Sequence, residues 1–171
     1  MTYFSKAAVF AAVLGLSACG GGFSGSGTGA DGAGAGGANG GIQTSNLDPN
    51  SPAYFSQTIG DRVLFAVDQS TLSDEARTTL TQQAQWLLSN TTYSAIVEGH
   101  ADEQGTREYN LALGARRAAA SRDFLVSQGV ADNRLRTVTY GKERPIELCS
   151  DEACYAQNRR AVTVISAGVG S

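Results

Sequence analysis

Glycine divides this chain into two unlike parts, and that division constrains its fold more than any other feature. Twelve of its 21 glycines lie in the 22 residues from Gly20 to Gly41. Residues 20–52 show neither the period of a strand nor that of a helix, and consist mainly of Gly, Ser, Ala, Thr and Asn. Such a composition is typical of a flexible linker. Folding is therefore expected downstream, in one domain over residues 53–171, a length that excludes a multidomain enzyme.

Residues 1–18 are predicted to be a secretory signal. Lys6 precedes an apolar run over residues 7–16. About ten apolar residues at 1.5 Å each cannot cross a bilayer core about 30 Å thick, so this run is not a membrane-spanning helix. The tetrapeptide LSAC, which ends at Cys19, resembles the lipobox of bacterial lipoproteins, in which the cysteine is acylated and the signal is cut before it. The alternative is an ordinary signal peptide followed by an unrelated cysteine.

On the lipoprotein interpretation, acyl chains on Cys19 anchor the chain and residues 19–52 form a tether. Its mean end-to-end distance is about 30 Å, with a limit of about 110 Å. In such lipoproteins, Asp after the cysteine retains the protein in the inner membrane of some bacteria. Gly20 stands there instead, which favours the outer membrane, with the domain in the periplasm. The remaining cysteines, Cys149 and Cys154, either form a disulfide or stay as free thiols.

Beyond the tether, strand-like and helix-like segments alternate in the order β-α-β-α-β-β. The four strand-like runs are residues 61–67, 93–99, 135–141 and 160–165. A first helix is predicted to begin after an N-cap at Ser73 and to end near Ser89. A second is predicted from about Thr106 to Gln128, closed by Gly129. This order predicts an α/β (α+β) sandwich with two main helices packed on one face of a small mixed sheet.

One arginine lies where the second predicted helix should face the sheet. At about 100° per residue, Arg117 falls in the same stripe as Leu113 and Phe124, whereas Arg116 lies to one side. Arg117 therefore either snorkels or forms an internal salt bridge, or it faces a pocket and grips a carboxylate through two parallel N–H bonds. Residues 99–105 follow the second strand and contain two acids and a histidine between glycines. They form either a polar turn or a binding loop.

Charge and histidine content exclude several classes of function. Residues 53–171 hold 12 Lys/Arg and 14 Asp/Glu, a net charge of −2, so a strongly basic face for nucleic acid is not expected. His100 is the single histidine of the chain. It has no nucleophile elbow beside it and lacks the further histidines that catalytic zinc normally needs. We therefore expect no enzymatic activity, metal or cofactor, with His100 as a hydrogen-bonding or packing residue.

Four motifs in sequence resemble the OmpA-like peptidoglycan-binding domains, most closely those of lipoproteins of the Tol–Pal system. They are GHADEQGTREYN at residues 99–110, LGARRA at 113–118, YGKERP at 140–145 and QNRRAV at 157–162. The resemblance covers about residues 61–165, and the lipobox and tether also fit it. It implies an OmpA-like fold and non-covalent binding to the meso-diaminopimelate of peptidoglycan stem peptides. That residue can carry a free amine and a carboxylate on one carbon.

The family pattern also assigns five ligand-binding residues. They are Asp102 for the ammonium, Arg117 for the carboxylate, Asn110 for loop order, Arg159 as a further basic residue and Phe65 at the pocket border. One position departs from the pattern, because Ala66 stands where the family usually has Asp or Asn after the aromatic residue. We therefore expect one polar contact to the ligand to be missing.

Family resemblance further implies partners and a cellular role. Domains of this kind link the outer membrane to the cell wall, and they support envelope integrity and outer-membrane constriction during cell division. TolB docks near the peptidoglycan-binding surface and TolA is a second protein partner, so both are expected here. The alternative is a lipid-anchored periplasmic scaffold that binds only protein partners. Binding to purified peptidoglycan distinguishes the two interpretations.

Overall fold

The computed structural model describes residues 47–167, so the predicted signal, Cys19 and most of the predicted tether lie outside the described residues. A short helix α1 (Pro52–Tyr54) and a π-helical turn (Phe55–Gly60) come first. They are followed by strand β1 (Arg62–Leu64), helix α2 (Asp74–Ser89), strand β2 (Tyr93–His100) and helix α3 (Arg107–Ser127). The remaining elements are a 3₁₀ turn (Asp132–Arg134), strand β3 (Leu135–Gly141), helix α4 (Glu152–Asn158) and strand β4 (Arg160–Ala167).

The four strands form one mixed sheet in the order β1-β4-β2-β3. Strand β4 is antiparallel to both β1 and β2, whereas β2 and β3 are parallel. Parallel neighbours need a crossover, and α3 supplies it between β2 and β3. The carboxyl end of β2 therefore leads directly into the loop before α3.

Helices α2 and α3 pack on the same face of the sheet. The core between them and the sheet includes Leu80, Leu87, Val97 and Leu125, each without exposed surface. Alternation along β2 explains this, because Ala95 and Val97 point to the helices while the intervening residues point away. The α/β sandwich predicted from the sequence is therefore confirmed. Within residues 47–167, no helix combines the length and apolarity needed to cross a membrane.

Local signals place the ends of the long helices. The Ser73 hydroxyl accepts a hydrogen bond from the backbone N–H of Ala76 at 3.1 Å, and so caps α2. The Thr106 hydroxyl does the same for α3, accepting from the N–H of Tyr109 at 3.2 Å. Gly129 follows α3 with a φ of +101°, the left-handed conformation that commonly ends a helix. These ends agree with the sequence prediction.

Two elements differ from the prediction. Strand β1 ends at Leu64 rather than at residue 67, because Ala66 and Gln69 close a turn through an N–H···O bond of 3.2 Å. The segment between β3 and β4, predicted as a loop, contains helix α4. The Asp151 carboxylate caps α4 by accepting from the N–H of Cys154 at 3.1 Å. With only seven residues, α4 is too short to give a clear helical period in the sequence.

Residues just before the predicted boundary at residue 53 contact the core. The indole N–H of Trp86 donates to the carbonyl oxygen of Pro49 at 2.7 Å. The same indole packs between Phe55 and Tyr93, with ring centroids at 5.0 and 5.3 Å. These contacts attach Pro49, a residue of the predicted tether, to helix α2.

Candidate functional site

Helix α3 lies directly against strand β2, and two glycines permit this approach. A Cβ atom on Gly99 would overlap the backbone carbonyl of Gly114, and a Cβ atom on Gly114 would lie 2.8 Å from the carbonyl oxygen of Gly99. Any side chain at either position would force the helix away from the strand. This packing fixes the distance between the loop after β2 and the face of α3 that carries Arg117.

A groove of about 280 Å³ lies where the turn after β1, the loop after β2 and the start of α3 meet. Its walls combine two carboxylates with amide, phenol and aliphatic groups. They are formed by Val67, Asp68, Asp102, Gln104, Gly105, Tyr109, Asn110 and Leu113. A larger groove of about 460 Å³, between residues 49–59 and the end of α2, has no charged side chain in its walls. The smaller groove is the candidate site because Asp102 and Asn110, two of the residues assigned from the sequence, lie in its wall.

Arg117 is fully buried beside this groove. Its guanidinium donates from Nε to the carbonyl of Gln69 and from Nη1 to that of His100, both at 2.8 Å, and from Nη2 to that of Ala66 at 3.2 Å. The aromatic ring of Phe65 lies 5.3 Å from its Cζ. A guanidinium has five N–H groups. One N–H on each terminal nitrogen is therefore left without an acceptor among the described residues.

Charge around Arg117 is partly balanced. Burial lowers the pKa of its guanidinium from its ordinary value to about 10, while the negative charges of Asp102 and Asp68 oppose that shift. Arg159 and Arg116 add to the lowering. Because a pKa of about 10 is well above neutral pH, Arg117 remains a cation in the folded protein. The site thus holds a buried positive charge behind carboxylates that face the groove.

Asp102 is paired with Arg159 rather than directly with Arg117. Its Oδ2 accepts from Arg159 Nη1 at 3.2 Å, and Asp102 is only 8% exposed. Arg159 also binds the Glu152 carboxylate through both terminal nitrogens, and its Nε donates to the carbonyl of Phe65 at 3.2 Å. Burial alone would lower the pKa of Arg159, but hydrogen bonds and charge from Glu152 and Asp102 outweigh it and raise that pKa.

The loop after β2 is held by hydrogen bonds from three directions. Asp102 Oδ1 accepts from the N–H of Gln104 at 3.2 Å, within the loop itself. Asn110, buried in α3, donates from Nδ2 to the carbonyl of Gln104 at 2.7 Å. Lys142, just after β3, donates from Nζ to the carbonyls of Gly105 at 2.7 Å and Glu103 at 3.3 Å. The groove wall is therefore ordered before any ligand arrives.

The five residues assigned from the sequence lie close together, with different roles. Asp102 and Asn110 line the groove, whereas Phe65, Arg117 and Arg159 are buried behind it. Phe65 is not among the residues that line the groove, and its ring packs on the Arg117 guanidinium. The guanidinium itself holds the turn after β1 through its carbonyl acceptors.

Sequence reasoning missed the hydrogen-bonded pair of groove residues Asp68 and Tyr109. Asp68 has a φ of +57° and its carboxylate accepts a hydrogen bond from the Tyr109 hydroxyl. Asp and Asn are several-fold enriched among non-glycine residues in this left-handed conformation. An Asp shortly after the predicted strand was therefore a sequence signal for a turn at this point. Asp68 thus brings a carboxylate to the groove although position 66 lacks one.

His100 is a packing residue. It is 2% exposed, its ring lies 5.5 Å from that of Tyr140, and neither ring nitrogen has a hydrogen-bond partner among the described residues. Glu98 Oε2 is 3.6 Å from Nε2, beyond hydrogen-bond distance. Burial, with the charges of Arg160 and Arg144, lowers the pKa of His100 to about 4, so the ring is neutral near pH 7.

The two downstream cysteines are paired. Cys149 and Cys154 form a disulfide, with Cα atoms 5.8 Å apart. Their sulfur atoms and an oxygen of Asp151 lie within 4.8 Å of one another. Because the disulfide takes up both sulfurs, this group is not a candidate metal site.

Comparison with known proteins gives the family. The model of the OmpA family matches residues 64–159. The chain is 61% identical over 123 residues to the peptidoglycan-associated lipoprotein of Mesorhizobium japonicum, covering 72% of this chain and 73% of the relative. The crystal structure of the peptidoglycan-associated lipoprotein from Burkholderia pseudomallei has 40% identity and a TM-score of 0.64, over 68% of this chain and 100% of that one. The C-terminal domain of Helicobacter pylori MotB, at 20% identity, shares the fold, with a TM-score of 0.59 over 64% of this chain and 86% of that one. The chain belongs to the OmpA family, as a homologue of the peptidoglycan-associated lipoproteins.

Proposed function

We propose that this chain is a non-catalytic binding protein that holds the diaminopimelate of peptidoglycan stem peptides in the groove beside Asp102. The names of its relatives support peptidoglycan as the ligand. The observation that carries the proposal is the placement of groove-facing carboxylates next to a buried, charged guanidinium. A ligand with an ammonium and a carboxylate on one carbon needs both charges within a few ångströms.

The carboxylate wall suits the ammonium group. Asp102 and Asp68 come from two different loops and line the same groove. Lysine-type and diaminopimelate-type ammonium groups are strongly hydrated, and a partly buried carboxylate pair compensates for the lost water. The ordered loop keeps Asp102 in place, so little conformational entropy is lost on binding.

Arg117 suits the carboxylate group. One N–H on each of its terminal nitrogens is without an acceptor within residues 47–167, which is the number a bidentate carboxylate uses. Because the guanidinium is covered, the ligand carboxylate reaches it only when the turn formed by residues 66–69 yields. Arg117 therefore couples binding to the position of that turn.

The same proposal places the groove in the cell envelope. Lipids on Cys19 hold the outer membrane, the tether gives reach, and the groove holds the wall. In the Tol–Pal arrangement this link supports envelope integrity and constriction during division. Single-site affinity is expected to be modest, and many copies facing a repeating polymer raise the effective affinity.

Protein partners are a second part of the proposal. Val67 and Tyr109 are 56% and 43% exposed beside the groove, which suits an apolar contact with another protein. TolB is expected near this surface, and TolA is expected as a second protein partner. Wall and TolB would then compete for one surface. A scaffold that binds only proteins would keep the apolar contact but not the ionic one.

The test is sedimentation of the purified domain with diaminopimelate-containing peptidoglycan. Asp102→Asn and Arg117→Lys keep the size of each side chain and should each lower the bound fraction at least about tenfold, the size of one lost charge-assisted contact. The matched controls Glu103→Gln and Arg116→Ala alter exposed neighbours and should bind like the wild type. Circular dichroism checks the fold of each variant. Wild-type binding by both Asp102→Asn and Arg117→Lys would refute the assignment.

A further inference from the structure

Glu152 reaches the candidate site from helix α4 through a single intermediary. It lies in the first turn of α4, and its carboxylate contacts Arg159, which is the residue immediately after that helix. Arg159 in turn donates to Asp102 in the groove wall at 3.2 Å. The side chain of Glu152 is 65% exposed, whereas those of Arg159 and Asp102 are 5% and 11% exposed. Glu152 is therefore the accessible end of a buried ionic chain.

The first turn of α4 is held in place by covalent and polar contacts. The Cys149–Cys154 disulfide closes the segment that precedes and enters the helix. The Asp151 carboxylate caps the N–H of Cys154 at 3.1 Å. A helix of seven residues is not stable by itself, so these contacts and packing must supply its order. Glu152 lies inside the segment that they fix.

Glu152 adds a negative charge next to the groove. Asp102, Arg159 and Glu152 form two ion pairs around one guanidinium, and two carboxylates with one cation carry a net charge of −1. Arg117 and Asp68 add one positive and one negative charge, so the site as a whole has a net charge of −1 with Glu152 and is neutral without it. An ammonium group entering the neutral site would gain less electrostatic energy.

We propose that Glu152 is a positioning residue, which draws Arg159 away from Asp102 and keeps a negative charge in the groove, and that the disulfide holds Glu152 where it can do so. This inference rests on the proposed function, because it concerns the ammonium half of the same ligand. The Cys149–Cys154 disulfide thereby contributes to the affinity of a groove that contains neither cysteine.

The first experiment is calorimetric titration of Glu152→Gln with two soluble probes, a diaminopimelate stem peptide and the matching lysine peptide. Glu147→Gln is the control, since Glu147 is an exposed acid of the same segment whose carboxylate makes no hydrogen bond in the described structure. Glu152→Gln should bind the diaminopimelate peptide about fivefold more weakly, the effect of one unit charge at a partly screened site. The lysine peptide has the ammonium group but no carboxylate that would benefit from removal of a negative charge. Its affinity should therefore fall by a larger factor.

A merely structural role would weaken both probes by the same factor, so an unchanged ratio of the two affinities would overturn the proposal. Wild-type affinity in Glu152→Gln would do the same. The double variant Cys149→Ser with Cys154→Ser should shift both affinities in the same direction as Glu152→Gln, and wild-type values there would overturn the role of the disulfide.

A measurement without ligand separates this inference from the proposed function. The Arg159 guanidinium N–H signals in NMR spectra should exchange faster with water in Glu152→Gln, but not in Glu147→Gln, because Arg159 loses one of its two carboxylate partners. If the wild type fails to bind either peptide, the proposed function is wrong, and these signals still decide whether Glu152 holds Arg159. Unchanged signals would show that it does not.

Discussion

His100 should make the free energy of unfolding of this domain depend on pH, and its contribution can be measured separately from that of the other titrating groups. It is the single histidine in the chain, it is 2% exposed, and its ring nitrogens have no hydrogen-bond partner in residues 47–167. Burial first, then the charges of Arg160 and Arg144, lower its pKa from 6.5 to about 4. Glu98 Oε2 lies 3.6 Å from Nε2 and favours the imidazolium, but burial and the two arginine charges outweigh it.

The sign follows from comparing the two states. Below pH 6.5 the unfolded chain takes up a proton on His100, while the folded domain does so only near pH 4. The free energy of unfolding therefore falls as pH decreases from about 6.5 through about 4. For this pKa difference the loss is about 2 kcal/mol at pH 5 and approaches about 3 kcal/mol at lower pH. Above pH 7.5 the contribution of His100 is negligible.

The perturbation is His100→Phe, which keeps an aromatic ring against Tyr140 and removes the titrating group. Urea unfolding of both proteins at pH 5.0 and pH 7.5 gives the comparison. Carboxylates titrate in both, so the difference between the two proteins isolates His100. The wild type should lose about 2 kcal/mol more than the variant on going to pH 5. Equal losses, or an imidazole NMR signal that titrates near 6.5 in the folded wild type, would refute the reasoning.

Two further predictions concern packing and anchoring. Gly99→Ala should destabilise the domain by about 3 kcal/mol and weaken peptidoglycan binding, because the added Cβ would displace α3 from β2. Thermal unfolding measures the loss of stability. Ser94→Ala, on the opposite face of β2, is the control. Cys19→Ser should move the full-length protein from the membrane fraction to the soluble fraction on cell fractionation, and continued membrane association would indicate another anchor.

Local sequence was sufficient for most of the fold. Ser73 and Gly129 set helix ends through bonds and backbone angles within a few residues, so they were readable without tertiary information. The alternation along β2 likewise follows from strand geometry. Helix α4 was missed because a seven-residue helix depends on its cap, its disulfide and its packing more than on periodicity.

The sequence by itself determined which side chains are candidates for the site, since motif and helical phase single out Asp102 and Arg117. Only the tertiary structure decided what those side chains touch. Arg117 binds carbonyls 17, 48 and 51 residues away, and Arg159 joins Asp102 to Glu152 across 57 and 7 residues. Such contacts depend on how the chain folds back on itself, so no local pattern encodes them. Tertiary packing therefore decides whether an arginine is buried and which groups accept its hydrogen bonds.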